Sequence, residues 1–395
     1  MTTVTLTAQA PGQFNFGLSA TQEARAAKLH RESIVFDMLS QQAGGNIFAH
    51  YPKELQADFE ARKATAAARG SDFWTESIYW PFEMSKLGKS DLLKDWFHAA
   101  GLTCGAFSDI RVHDGHNPLL CEREARLLRY AQLPWLRMVT TAAEIRQAKR
   151  DSVVALYANC QPSTPAPRDL KAFDTAYAKG LRSFMLTYNR MDHIGTGCTE
   201  RVDAGLSMFG VEVVNHCNDL GMIVDISHCG YLTTMDACRH SRKPVTANHT
   251  AARSVFQHVR GKSNEALHAI ADTGGVIGVV ALPAFLTNAA VPTVEHMLDH
   301  IDYIAGLVGW QHVAIGTDWP LQAPDDVVST LGAELKLLGF REQDRVDVTQ
   351  RLVGFDDCRD LPNITRGLVR RGYTDEQIRG ILGENALRVF EEVCG

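Results

Sequence analysis

The sequence predicts a (β/α)8 barrel of the TIM type. Eight short apolar runs are spaced along the chain, amphipathic stretches lie between most of them, and three of those stretches stop at a glycine shortly before the next run. Alternation of this kind and number indicates a parallel sheet closed into a barrel. A doubly wound open sheet is the competing arrangement. No GxGxxG follows the first run, so a dinucleotide fold has no specific support.

The candidate strands are Ile34–Met38, Thr103–Phe107, Val153–Tyr157, Ser183–Thr187, Met222–Ile226, Pro244–Ala247, Val276–Val280 and Val313–Thr317. Most are apolar or β-branched and too short for helices. Apolar residues at three- and four-residue spacing predict helices over Ala125–Tyr130, Ala142–Lys149, Leu170–Lys179, Gly210–Leu220, Tyr231–His240, Asn264–Asp272 and Val294–Val308. Gly180, Gly221 and Gly309 follow three of them, where a left-handed cap favours glycine. Thr374-Asp-Glu-Gln377 has the spacing of a capping box and opens a final helix pair that runs to Cys394.

At 395 residues with 45% hydrophobic content, the chain fills one barrel domain over residues 1–395, with insertions over the mouth at about 42–102 and 321–362. A net charge of -6 without a basic cluster argues against nucleic acid as a partner. Nine scattered cysteines without a CxxC pair suggest neither a zinc ribbon nor a disulfide framework. The first twenty residues lack the pattern of a secretory signal, and no run reaches the ~18 apolar residues of a spanning helix. The expectation is a cytoplasmic protein without a membrane anchor.

Barrel enzymes carry their chemistry at the carboxyl ends of the strands. The fifth strand ends in Asp225-Ile-Ser-His228, the sixth in Asn248-His249, and the eighth in Gly316-Thr-Asp318. Two imidazoles and a carboxylate converging on one mouth suit zinc or another divalent metal, so His228, His249 and Asp318 are the candidate ligands. Hydrogen-bonded rim histidines are the plainer reading. Arg260 is a candidate for holding a substrate carboxylate through a bidentate pair, or else a solvated surface arginine. After the fourth strand, Tyr188 or His193 can donate a proton or polarise a carbonyl, or simply pack the rim. Asn159 and Cys160 close the third strand; Cys160 reads as a ligand, a nucleophile or an ordinary thiol. His113-Asp-Gly-His116, after the second strand, is a possible decoy.

Phe184-Met-Leu-Thr187, Gly205-Leu-Ser-Met-Phe-Gly210, Gly221-Met-Ile-Val-Asp-Ile-Ser-His228, Pro244-Val-Thr-Ala-Asn-His249, Gly274-Gly-Val-Ile-Gly278, His300-Ile-Asp-Tyr-Ile304, His312-Val-Ala-Ile-Gly-Thr-Asp318, Arg371-Gly-Tyr-Thr-Asp-Glu-Gln-Ile378 and Gly383-Glu-Asn385 follow one another along the chain. In this order they resemble the membrane (renal) dipeptidase family. The resemblance runs in order from about Ile34 to Val393 and is dense from Lys179 onward. It implies an amidohydrolase-like barrel, hydrolysis of dipeptides, two zinc ions and a homodimer. Carried over by position, His228, His249 and Asp318 match metal ligands, and Arg260 matches the carboxylate binder. The family's His-x-Asp pair after the first strand is replaced by Leu39 and Gln41, its bridging Glu has no counterpart in Ala158-Asn159-Cys160, and its fourth-strand His is Tyr188. Without the bridging carboxylate two close cations repel. The departures from the family pattern thus leave one ion per chain, or a metal-free site, as the expectation.

Three functions follow as expectations. The first is a mononuclear metal-dependent hydrolase of a small amide or dipeptide-like substrate bearing a carboxylate. There Asp318 and Tyr188 are catalytic, and Arg260, Asn159 and Tyr188 contact the substrate. The second is a lyase, isomerase or tautomerase on the same scaffold, since fold does not fix chemistry. The third is a non-catalytic binding protein.

Overall fold

The computed structural model describes residues 10–40, 47–69, 74–109, 132–162, 165–318 and 335–395. Gln41, the His113–His116 loop, the helix expected at Ala125–Tyr130 and the first third of the second insertion, residues 321–334, lie outside them. Ten parallel strands are present in the described residues: β1 (Phe36–Asp37), β2 (Cys104–Asp109), β3 (Leu136–Met138), β4 (Val154–Cys160), β5 (Leu181–Met185), β6 (Ile223–Asp225), β7 (Val245–Ala252), β8 (Gly261–Lys262), β9 (Val276–Val279) and β10 (Val313–Ile315). Eight form a ring in the order β1-β2-β4-β5-β6-β7-β9-β10, closed by the pairing of β10 with β1. All eight expected strands are in that ring. β3 and β8 are additions that pair only with β4 and β7.

The helices are α1 (Ala20–Glu32), α2 (Lys53–Ala68), α3 (Trp74–Lys86), α4 (Leu92–Ala99), α5 (Ala142–Asp151), α6 (Leu170–Ala178), α7 (Met208–Leu220), α8 (Tyr231–His240), α9 (Asn264–Asp272), α10 (Pro283–Leu286), α11 (Val294–Val308), α12 (Leu361–Arg370), α13 (Asp375–Arg379) and α14 (Asn385–Cys394). The first insertion holds α2, α3 and α4. The expected final helix pair is α13 and α14, joined through a π-helical turn over Gly380–Glu384.

Side-chain alternation separates the two faces of the barrel wall. Phe184 of β5 points outward and meets Phe173 of α6 edge-on at 4.9 Å. Inward, Phe36, Tyr157 and Phe390 pack ring against ring at 5.3–6.1 Å, so that α14 plugs the amino-terminal end of the barrel. The Tyr157 hydroxyl donates to Met38 O at 2.8 Å, satisfying a polar group in that apolar floor. The carboxyl-terminal end is lined instead by polar side chains. No helix of the described residues is long and apolar enough to cross a membrane.

Candidate active site

β7 carries a register shift between Ala247 and Thr250. There the Asn248 carbonyl runs so close to Gly278 of β9 and to Gly316 that a Cβ on either would collide with it. Glycine at both positions lets β7 bend inward and brings His249 into the mouth.

Asp225, at the end of β6, ties the two histidine-bearing turns together. Its Oδ1 accepts from Asn248 N at 2.9 Å and from Ser227 Oγ at 2.7 Å. Ser227 Oγ in turn accepts from His249 N at 3.1 Å. Burial pushes the Asp225 carboxyl up to about 6, against the pull of these donors. Lys262 of β8 fixes the same turn, donating to Ile226 O at 2.7 Å, Cys229 O at 2.8 Å and Thr234 Oγ1 at 3.2 Å. Burial lowers its ammonium to about 8.

The result is a histidine pair. His228 Nε2 and His249 Nε2 are 2.9 Å apart, and both side chains are buried. His228 Nδ1 faces Asn189 Oδ1 at 2.7 Å, and His249 Nδ1 faces Asn248 Oδ1 at 2.5 Å. Amide oxygens accept, so each Nδ1 carries the hydrogen and each Nε2 turns a lone pair toward the other. Two lone pairs at that distance repel until a proton or a cation lies between them. Burial, reinforced by the positive charge of Arg260, holds both imidazoles well below the ordinary histidine range, so they stay neutral.

Arg260 is 1% exposed, which removes the surface-arginine reading. One terminal nitrogen donates to Ser227 O and the other to His249 O at 3.1 Å, so the guanidinium clamps both histidine turns. Phe285 lies 5.4 Å from its carbon, and its Nε has no hydrogen-bond partner. Tyr188 stacks on His228 at 4.0 Å with 18° between planes. Burial and the nearby Asp318 charge raise its phenol, which keeps the O–H as a donor. Asn159 is fully buried, and among the described residues neither its amide oxygen nor its nitrogen has a partner.

Asp318 follows β10 with φ of 44°, a left-handed conformation rarely taken by a non-glycine residue. Its N–H donates to Leu39 O at 2.8 Å. It does not complete a three-donor cluster with the histidines: among the described residues, no group of three or more His, Cys, Asp or Glu side chains is placed to hold a metal ion. Cys160 is buried, and His193 Nε2 is buried without a partner. None of the eight described cysteines is in a disulfide.

The sequence profile of the membrane dipeptidase family (peptidase family M19) matches residues 23–336 and 344–394. The chain belongs to the membrane dipeptidase family. A curated relative, dipeptidase verJ of Clonostachys rogersoniana, is 26% identical over 260 residues, which cover 65% of this chain and 60% of that protein. The match therefore spans less than two thirds of the relative's length. Among solved structures, an amidohydrolase from Pseudomonas aeruginosa superposes with a TM-score of 0.70 at 24% identity, covering 94% of this chain and 99% of that one. The probable dipeptidase PvdM from the same organism superposes with 0.67 at 18% identity, covering 95% and 99%. At these identities the likeness is one of fold, and it agrees with the closed eight-stranded barrel.

Members of this metallopeptidase family typically work with zinc. The residues present do not fit the two-ion centre that the sequence resemblance implies. Leu39 is a core side chain at 0% exposure, and the carboxyl end of β4 offers the neutral amide of Asn159 where a bridging carboxylate would be needed. The paired Nε2 atoms do suit a single ion. Neutral imidazole nitrogens are a donor type that zinc or a similar ion accepts, and no third such donor joins them among the described residues.

Sequence reasoning missed Asn189, Asn248 and Lys262 as parts of this site. Asn189 and Lys262 meet partners far along the chain and no local pattern marks them, whereas Asn248 backs its own neighbour His249.

Proposed function

We propose that this chain is a dipeptidase-like hydrolase that cleaves the C–N bond of a small, carboxylate-bearing amide with the help of one divalent ion. The observation that carries this reading is the pair of inward-facing lone pairs on His228 and His249. Those two residues would hold the ion, zinc or a similar metal, and Asp318 would have to turn toward them from its position in this structure to add a third donor. When bound, such an ion polarises a carbonyl and makes water acidic enough to attack near neutral pH.

The remaining steps belong to the chain's own side chains. Tyr188 keeps its proton and donates to the oxyanion that develops on the carbonyl oxygen. Arg260 turns its unused N–H groups to the substrate carboxylate. Asn159 offers an unpaired donor and acceptor to the substrate amide. Asp318 takes the proton from water and returns it to the leaving amine. A homodimeric assembly and a cytoplasmic location belong to the same reading; light scattering and fractionation test them.

The test is metal analysis of the purified chain, followed by a dipeptide panel with and without added zinc. One ion per chain and zinc-dependent release of amino acids are expected. Absence of both would sink the reading.

A metal-free acid–base enzyme, such as a lyase, isomerase or tautomerase, is the second reading. It is favoured by the lack of a third donor beside the histidines among the described residues. Turnover unaffected by chelator would select it.

A further inference from the structure

Asn189 lies fully buried between the histidine pair and a strap formed by residues 335–346. Its Nδ2 donates to Leu338 O at 2.9 Å. Its Oδ1 faces His228 Nδ1 at 2.7 Å and accepts from Cys198 Sγ at 3.6 Å. A primary amide has one donor end and one acceptor end. A carbonyl on the donor end therefore commits the acceptor end to His228.

We infer that Asn189 is a positioning residue that sets the tautomer of His228, and that docking of the strap holds it in that role. The strap is held at several points by its backbone carbonyls. Thr199 Oγ1 donates to Gly339 O at 2.8 Å, Arg190 to Lys336 O at 3.0 Å, and His258 Nε2 to Asp344 O at 2.7 Å. Phe340 of the strap then covers the mouth, its ring centroid 6.5 Å from that of His228 and 6.2 Å from that of Phe285. Lifting the strap removes Leu338 O. The Asn189 amide is then free to turn half a revolution and present Nδ2 to His228 Nδ1. His228 answers by moving its hydrogen to Nε2, and the lone pair facing His249 is lost. Closure over the mouth and readiness of His228 to take a cation are thereby one event.

The inference rests on His228 being part of the proposed site, but its test does not depend on turnover. Histidine-labelled, metal-free full-length protein is examined by 15N NMR, with His228→Gln used to assign the signal. The wild type is expected to show His228 hydrogen on Nδ1. In Asn189→Ala, that hydrogen shifts toward Nε2, and zinc affinity measured by calorimetry falls about 10- to 100-fold. Asn189→Asp keeps an acceptor on Nδ1 and retains both the tautomer and most of the affinity, although its bond to Leu338 is gone. Arg190→Met, which removes a bond to the strap at Lys336 O without touching His228 or the Asn189 side chain, shifts the tautomer in the same direction as alanine but by less. Asn189→Ser replaces the alanine variant if the latter does not fold. An Nε2–H tautomer in the wild type, an unchanged tautomer in the alanine or serine variant, or equal zinc loss in the aspartate and alanine variants each overturns the inference. Failure of the wild type to bind zinc counts against the one-ion reading, while the tautomer signals still decide the role of Asn189.

Discussion

His228, on the turn after β6, and His249, in the irregular stretch of the adjacent β7, place their Nε2 atoms 2.9 Å apart with a hydrogen-bonded amide oxygen behind each ring. Such outer partners orient metal-binding imidazoles and raise their basicity. Removing one ring should therefore remove the site. His228→Ala and His249→Ala are each expected to lower zinc affinity by at least about 100-fold and to leave no metal after gel filtration. Mass-spectrometric metal analysis checks this, and retention of one ion per chain in either variant would move the metal elsewhere.

Arg260 serves two purposes in this site, and they separate experimentally. Its donors on Ser227 O and His249 O are structural, so Arg260→Met leaves two buried carbonyls without partners. A loss of about 2–4 kcal/mol is expected in urea unfolding. Under the proposed function, KM for carboxylate-bearing substrates should rise as well. A raised KM with unchanged stability would show that the backbone clamp contributes little.

Much of the barrel was legible because its signals are local. α8, α9 and α11 begin and end where the sequence placed them, and Ser263 caps α9 by accepting from Ala266 N. The strand runs were legible from apolar clustering. β3 and β8 were not, since two or three residues carry no periodicity and depend on the strands beside them. The histidine pair could be named from strand ends alone. Its supports could not: Asn189 meets Leu338 across 149 residues of chain, and Lys262 reaches Ile226 across 36. Asp318 was placed correctly at a strand end, but a strand end does not set the direction of a side chain, and no three-donor cluster results among the described residues.

Tyr188 offers a conservative test of the chemistry. Tyr188→Phe keeps the ring that stacks on His228 at 4.0 Å and removes only the hydroxyl. If that hydroxyl donates to a developing oxyanion, kcat should fall about a hundredfold with KM and zinc affinity little changed. Steady-state kinetics on a dipeptide decides it, and an equal fall in affinity for substrate would assign Tyr188 to binding instead.

Acid stability should be set in part by a histidine far from the site. His30 of α1 is buried, with Nδ1 on Thr365 Oγ1 at 2.7 Å and Nε2 on Ala100 O at 2.8 Å, so it joins α1 to α12 and to the end of α4. Burial lowers it from 6.5 to about 4. Between those values the unfolded chain binds the extra proton and the folded chain does not, so stability falls as pH drops from about 6.5 to about 4. The loss from this residue is about 3 kcal/mol at the acid end. His30→Gln cannot be protonated in either state and should flatten this part of the curve, at the cost of lower stability at neutral pH. Urea unfolding of both proteins from pH 7 to pH 4 measures the difference. Parallel curves would mean that His30 takes up its proton in the folded state as readily as in the unfolded chain.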